Sequence, residues 1–173
     1  MCIWTMKSKK ISDKKISNNV LPDACIDIVM DFVDKTICFA GFSKDTMVLE
    51  LNKDIDFMGV RLKHGVFYLL FNIQADKVMD KGIPFSDIEK DFNMDKILDI
   101  ENTDERIEYL EKYLLQKTMD KKDRTFLEVV ENLYKNPLEQ SVVDIANTFG
   151  YNERHLYRLF KTNYGVAPKV LLN

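Results

Sequence analysis

The stretch that most constrains this chain is SVVDIANTFGYNERHLYRLFKTNYGVAPK, residues 141 to 169, where two helical patterns meet at one tight turn. Ser141 can cap the free N–H groups of a first helix, and Asp144, three residues on, can reach back to it as in a capping box. Val142, Ile145, Ala146 and Phe149 then recur at helical spacing and give that helix one apolar face. Gly150 stands where a left-handed residue ends a helix without a Cβ clash. Asn152 is a good N-cap for a second helix, with an apolar stripe of Leu156, Leu159 and Phe160. Arg154, Tyr157, Arg158 and Lys161 fall on its other faces. Gly165 stops this helix, and Pro168 suits the first turn of a third. Two short helices joined by a turn of about 3–4 residues have the geometry of a helix-turn-helix, whose second helix enters the DNA major groove. The same spacing also fits an ordinary α-helical hairpin with a solvated charged face, and spacing alone leaves both readings open.

The run DIA…FGYNERHLYRLFK…GVAPK separates the two readings by resemblance. It is similar to the first helix-turn-helix of AraC-type transcriptional regulators at Ile145, Ala146, Gly150, Tyr151, His155, Leu156, Arg158, Leu159, Phe160, Lys161, Gly165 and Pro168. The resemblance implies double-stranded DNA as the partner and makes the second helix the recognition helix. Arg154, Tyr157 and Arg158 then match positions that face base edges, where an arginine can fork onto guanine O6 and N7. Asn152 and Lys161 are read as phosphate contacts, and His155 as a ring packed or hydrogen-bonded between the helices. DNA-binding domains of this family usually hold two such units joined by a long helix, which Ala167, Pro168, Lys169 and Val170 would open. The sequence is therefore expected to be a piece of a longer regulator, with a natural short form as the alternative.

Charge looks wrong for a DNA binder until it is divided along the chain. The 173 residues carry a net charge of −3, of which residues 139–173 contribute +1 and residues 1–138 contribute −4. A head so mildly basic neutralises few phosphates, so tight binding calls for a second reading unit or a homodimer. Cys2, Cys25 and Cys38 are scattered and lack paired spacing, which indicates neither a zinc site nor a disulfide framework. No apolar run approaches the ~18 residues of a membrane span, and MCIWTMKSKK lacks the hydrophobic stretch of a secretory signal. The reading is a cytoplasmic protein without a membrane partner, cofactor or metal.

The front of the chain has a different period. Ile26, Ile28, Met30 and Phe32 alternate with Cys25, Asp27, Val29 and Asp31, the two-residue repeat of a strand with one buried face. Further strands are expected at 16–21, 36–40, 47–51 and 57–62, with turns at Asp34-Lys35 and Lys53-Asp54, so a mainly antiparallel sheet joined by hairpins is predicted. Residues 66–71 are apolar enough for a buried helix, and Pro84-Phe85-Ser86-Asp87 marks the start of another. LPDACIDIVM (21–30), the glycine of FAGF (39–42) and FMGVRLKHGVFYLLF (57–71) followed by IPFSDI (83–88) resemble a domain of unknown function found ahead of AraC-type units. Members usually carry PDGC where this chain has Pro22, Asp23, Ala24 and Cys25, and more residues before the tryptophan matching Trp4, which allows a shortened edge strand.

No convergent acid, base and nucleophile is present, so catalysis is not expected. Asp23 and Asp27 are read as solvated strand carboxylates. Arg61, flanked by Val60 and Leu62 facing the other way, could clamp an anionic small-molecule effector; the plainer alternative is an exposed strand residue. Residues 102–117 form a connector helix with Thr103 near its start and a narrow stripe of Ile107, Leu110, Tyr113 and Leu114. The stripe packs on the chain's own sheet or on the same helix of a second molecule. Residues 119–123 are the best linker, after which Phe126, Val129, Val130 and Leu133 lead into the terminal unit, closed by Asn136-Pro137.

The expected architecture is α+β: a sensor and dimerisation domain over 1–118 built on an antiparallel β-sheet, open or barrel-like, with helices, then an all-α helix-turn-helix unit over 119–173. The expected function is a DNA-binding transcriptional regulator of the AraC type. Its competitors are an interaction protein that dimerises to modulate a full-length regulator, and a small-molecule-binding domain.

Overall fold

A computed structural model describes residues 2–9, 16–23, 25–43, 45–51, 54–63, 65–119, 128–129, 131, 141–165 and 167–168. The chain divides into two compact units, one of residues 1–63 with 78–115, the other of residues 64–77 with 116–173.

The first unit is built on a five-stranded antiparallel sheet. Its strands are β1 (Cys2–Ser8), β3 (Ile26–Asp31), β4 (Thr36–Ala40), β6 (Ile55–Leu62) and β7 (Gly82–Pro84), in the order β1-β6-β3-β4-β7. Strands β2 (Ile16–Val20) and β5 (Met47–Leu51) pair with each other in a separate two-stranded sheet. The Asp34-Lys35 turn joins β3 to β4 as expected, with Lys35 at φ 54. The hairpin expected across Lys53-Asp54 is not formed, because β5 pairs with β2 and β6 lies between β1 and β3; Lys53 itself lies outside the described residues.

Register sorts the side chains into two faces. Ile28 opposes Val60, Met30 opposes Met58, and Phe39 opposes Ile28 on the other side. All five are at most 1% exposed, so this is the core face. Phe85 of α2 (Phe85–Ile88) covers it by stacking on Phe39 at 4.8 Å between ring centres. The opposite face carries Trp4, Phe57, Gly59, Arg61, Asp27, Val29 and Cys38. A single buried face was expected of β3, yet Asp27 and Asp31 are each only 9% exposed. They are tolerated because both are hydrogen-bonded. Asp31 accepts from the backbone N–H groups of Val33 and Asp34, which builds the turn, and Asp27 pairs with Arg61 across the strands. On the same face Trp4 lies against Gly59, where a Cβ would sit 2.1 Å from the indole. Tryptophan and glycine thus fit as a pair, which explains why β1 exists although no alternation announced it. Gly41 is needed for a different reason, since a Cβ there would lie 1.6 Å from the Val78 carbonyl oxygen.

The connector helix is α4 (Thr103–Met119), preceded by the short α3 (Met94–Leu98). Its cap is Asn102, whose side chain accepts from the N–H groups of Asp104 and Glu105, a role Thr103 does not take. Leu110 and Leu114 of its stripe are buried within the chain. Tyr113 packs edge-on to Phe92 at 4.6 Å and donates to Glu89 at 2.6 Å; burial, aided by that carboxylate, pushes its phenol well above the ordinary range. Arg106 is buried too, at 6% exposure, a placement that an amphipathic reading of the helix does not suggest. Its guanidinium lies 3.4 Å from the Phe32 ring centre, donates to the Ile100 carbonyl at 2.6 Å and faces both Asp56 oxygens at 3.4 Å.

The second unit holds α1 (Val66–Phe71), a 3₁₀ turn (Ala75–Lys77), and two helices numbered here α5 (Val142–Thr148) and α6 (Glu153–Tyr164). The predicted linker beyond Met119, along with Phe126, Val130, Leu133 and Asn136-Pro137, lies outside the described residues.

Candidate nucleic-acid interface

Local chemistry sets the two helices of the terminal unit. Ser141 Oγ accepts from the Asp144 N–H while Asp144 accepts from the Ser141 N–H at 2.9 Å, a complete capping box at the start of α5. The Ser141 hydroxyl, which donates to Asp144 Oδ2 at 2.6 Å, and then the Ser141 N–H hold the Asp144 carboxyl below its ordinary value. A lowered carboxylate favours the folded helix above the ordinary carboxylate range, and the contribution fades as acid protonates the group. Gly150 turns the chain at φ 66. Asn152 caps α6 by accepting from His155 N–H at 2.8 Å, and Gly165 ends it at φ 75.

The two helices share one small core. Ile145 and Ala146 of α5 and Leu156, Phe160 and Tyr164 of α6 are buried together with Val129, and Val142, Phe149, Tyr151 and Leu159 pack around them. Phe160 stacks nearly parallel on Tyr164 at 5.4 Å. Ala146 and Tyr151 are further tied through the backbone, since Tyr151 N–H donates to the Ala146 carbonyl at 2.8 Å. With its apolar stripe spent inward, α6 turns a polar side outward: Asn152, Arg154, Tyr157, Arg158 and Lys161 are all exposed.

These five, with His155, Thr162 and Gln74, line one open cleft of about 590 Å³. Among the described residues, three of the lining side chains are cations and none is a carboxylate. Arg158 Nη2 lies 3.0 Å from His155 Nδ1, and Tyr151 packs on the His155 ring at 4.8 Å. The imidazole is packed on Tyr151 of the turn between the helices, with its Nδ1 toward Arg158, and lines the cleft. Lys161 Nζ donates to the Gly165 carbonyl at 3.1 Å and so caps the end of its own helix. Gln74 and Thr162 were not anticipated; Gln74 is far away in sequence and no local pattern links it to α6.

Arg61 stands elsewhere, on the non-core face of the sheet. It donates through Nε and Nη2 to the two Asp27 oxygens, both at 3.0 Å, and its Nη1 is 2.9 Å from Asp23. Asp27 is thus not a solvated carboxylate, and the hydrogen bonds to it raise the arginine further above its already high value. Cys25 adjoins this cluster, and burial first, then Asp23, pushes its thiol up. Among the described residues no group of three His, Cys, Asp or Glu could hold a metal ion, and no helix is long and apolar enough to cross a membrane.

Comparisons with known proteins give two separate family matches, the first of which runs through residues 64–77 of the second compact unit. Residues 1–84 match the family described as domain of unknown function DUF6597, and residues 138–173 match the bacterial regulatory helix-turn-helix proteins of the AraC family. No curated protein matches the chain significantly. A solved structure of ToxT from Vibrio cholerae is similar at 14% identity, over 99% of this chain and 97% of that one, with a TM-score of 0.28. The capped helix pair over one buried core, with its cationic outer face, coincides with the second of these matches: a segment similar to DUF6597 is followed by one similar to the AraC-family helix-turn-helix, the DNA-binding unit of bacterial transcriptional regulators.

Proposed function

We propose that α6 is laid into the major groove with Arg154, Tyr157 and Arg158 toward base edges, while Asn152 and Lys161 meet the phosphates. The observation that carries this reading is the cleft along α6, whose described lining holds three exposed cations and no carboxylate, over a buried core that holds the helix in place. Arg158, four residues after Arg154, shares its side of the helix, and the contact with His155 orients its planar fork. Lys161 lies one turn on, near the helix end, where a recognition helix leaves the groove.

The two cations therefore separate in a binding experiment on duplexes selected from a random pool. Arg158→Ala is expected to lose about 1–3 kcal/mol on the selected site and to relax preference at one base pair. Lys161→Ala is expected to weaken selected and scrambled duplexes alike and to lower the salt slope by about one. Equal losses on both duplexes for Arg158→Ala would make that residue a phosphate contact and remove base reading from the account.

The front domain is read as the sensor, in a cytoplasmic regulator that works as a homodimer. The mild charge of the head supports pairing, because a second copy multiplies a weak contact. Arg61, paired with Asp27 and Asp23, receives an anionic effector in this reading only by exchanging a carboxylate for it. A non-catalytic role is part of this reading, supported by the similarity of residues 138–173 to bacterial regulatory helix-turn-helix proteins.

A further inference from the structure

Residues 64–77 leave β6 as an excursion and return at Val78, yet they pack with the terminal unit: both α1 and the 3₁₀ turn at Ala75–Lys77 lie against α6. Gln74, between them, shares the cleft with Arg154, Tyr157, Arg158 and Lys161. A helix with its side chains is about 10–12 Å across, and the major groove is about 12 Å wide. A recognition helix that enters such a groove is flanked by a phosphate wall on each side. A protein segment held along the polar flank of α6 occupies the place of one wall.

We propose that residues 64–77 are an intramolecular cover for the recognition helix, which must swing away before duplex DNA is bound. The inference rests on the reading of α6 given above. Two features make the cover releasable. Among the described residues its cleft offers the three cations neutral partners only, so duplex phosphates compete favourably for them. On the 3₁₀ turn, Asp76 Oδ1 is buried without a hydrogen-bond partner among the described residues, a polar atom that gains water when the turn is freed. The cover is also wired to the sheet at both ends. Before it, Leu62 of β6 pairs with Ile26; after it, Asp80 N–H donates to the Phe42 carbonyl at 2.9 Å and Gly41 N–H to Lys81 at 3.0 Å. A change in the sheet therefore reaches α6 through the chain itself.

The test bridges the cover to the helix. In the full chain with Cys2, Cys25 and Cys38 replaced by alanine, Gln74→Cys and Thr162→Cys are joined by a short bis-maleimide, and a control is blocked with a mono-maleimide. Binding to a 30-base-pair duplex at low salt is read by fluorescence anisotropy. The bridged protein should bind at least about tenfold more weakly than the blocked control. Equal affinity would overturn the cover; a blocked control that binds no DNA would sink the reading of α6 on which it rests. The unaltered chain supplies a second readout. Backbone amides 66–77 should exchange hydrogen faster when the duplex is saturating, and unchanged or slower exchange would overturn the proposal whatever the bridged variant does.

Discussion

Phe160→Ala is expected to cost the terminal unit about 3–5 kcal/mol, as deletion of a buried aromatic side chain usually does. Phe160 is fully buried, stacks on Tyr164 and touches the core shared by Ile145, Ala146 and Leu156, so its removal leaves a cavity that neither short helix can collapse to fill. Two helices of seven and twelve residues do not stand alone in water, and their helicity depends on this packing. The variant should lose DNA binding and melt the terminal unit well below the unaltered chain, as followed by circular dichroism. Tyr157→Ala is the control: with the side chain 52% exposed it should leave the melting temperature within a degree or two while weakening DNA binding. If Phe160→Ala melted like the parent, the helix pair would not be packed over a common core.

Arg106→Ala should be nearly as damaging to the first unit. The substitution removes a guanidinium stacked on Phe32, leaves the Ile100 carbonyl without its donor and strips Asp56 of one partner. Breaking a buried pair commonly costs about 3–5 kcal/mol, and here about 2–4 is expected, because Asp56 keeps Lys7 at 3.1 Å and reaches water. Arg106→Lys should recover only part of the loss, since an ammonium cannot fork between a carbonyl and a carboxylate or lie flat on a ring. A urea titration of the three proteins checks the order, and a lysine variant as stable as the parent would reduce Arg106 to a simple charge.

The terminal unit was legible in the sequence because its signals are local. Ser141 with Asp144, Gly150, Asn152 and Gly165 each act within four residues of the group they satisfy, so spacing alone placed the caps and the turn correctly. The strands at 36–40 and 47–51 were legible for the same reason, through their composition and flanking turns. Pairing was not. That β5 joins β2, and that β6 sits between β1 and β3, depends on contacts across long stretches of chain. The buried Asp27 was missed because its partner, Arg61, meets it only once β3 and β6 are in register. Arg106 escaped likewise: a charge on a helix reads as solvent-facing until Phe32, Ile100 and Asp56 are brought around it. Gln74 in the recognition cleft belongs with these, a residue whose position follows from packing and from no pattern near it.

The central claim is that the cationic face of α6 binds duplex DNA, and a salt titration tests it most directly. The chain, mixed with a labelled 30-base-pair duplex, should bind with Kd of ~10⁻⁴ to 10⁻⁶ M near physiological salt, as expected of a mildly basic head. Its affinity should fall linearly on a log–log plot against salt, with a slope of roughly −0.9 per phosphate neutralised, and Lys161→Ala should lower that slope by about one. Affinity that does not depend on salt, or a slope left intact when Lys161 is removed, would contradict the account.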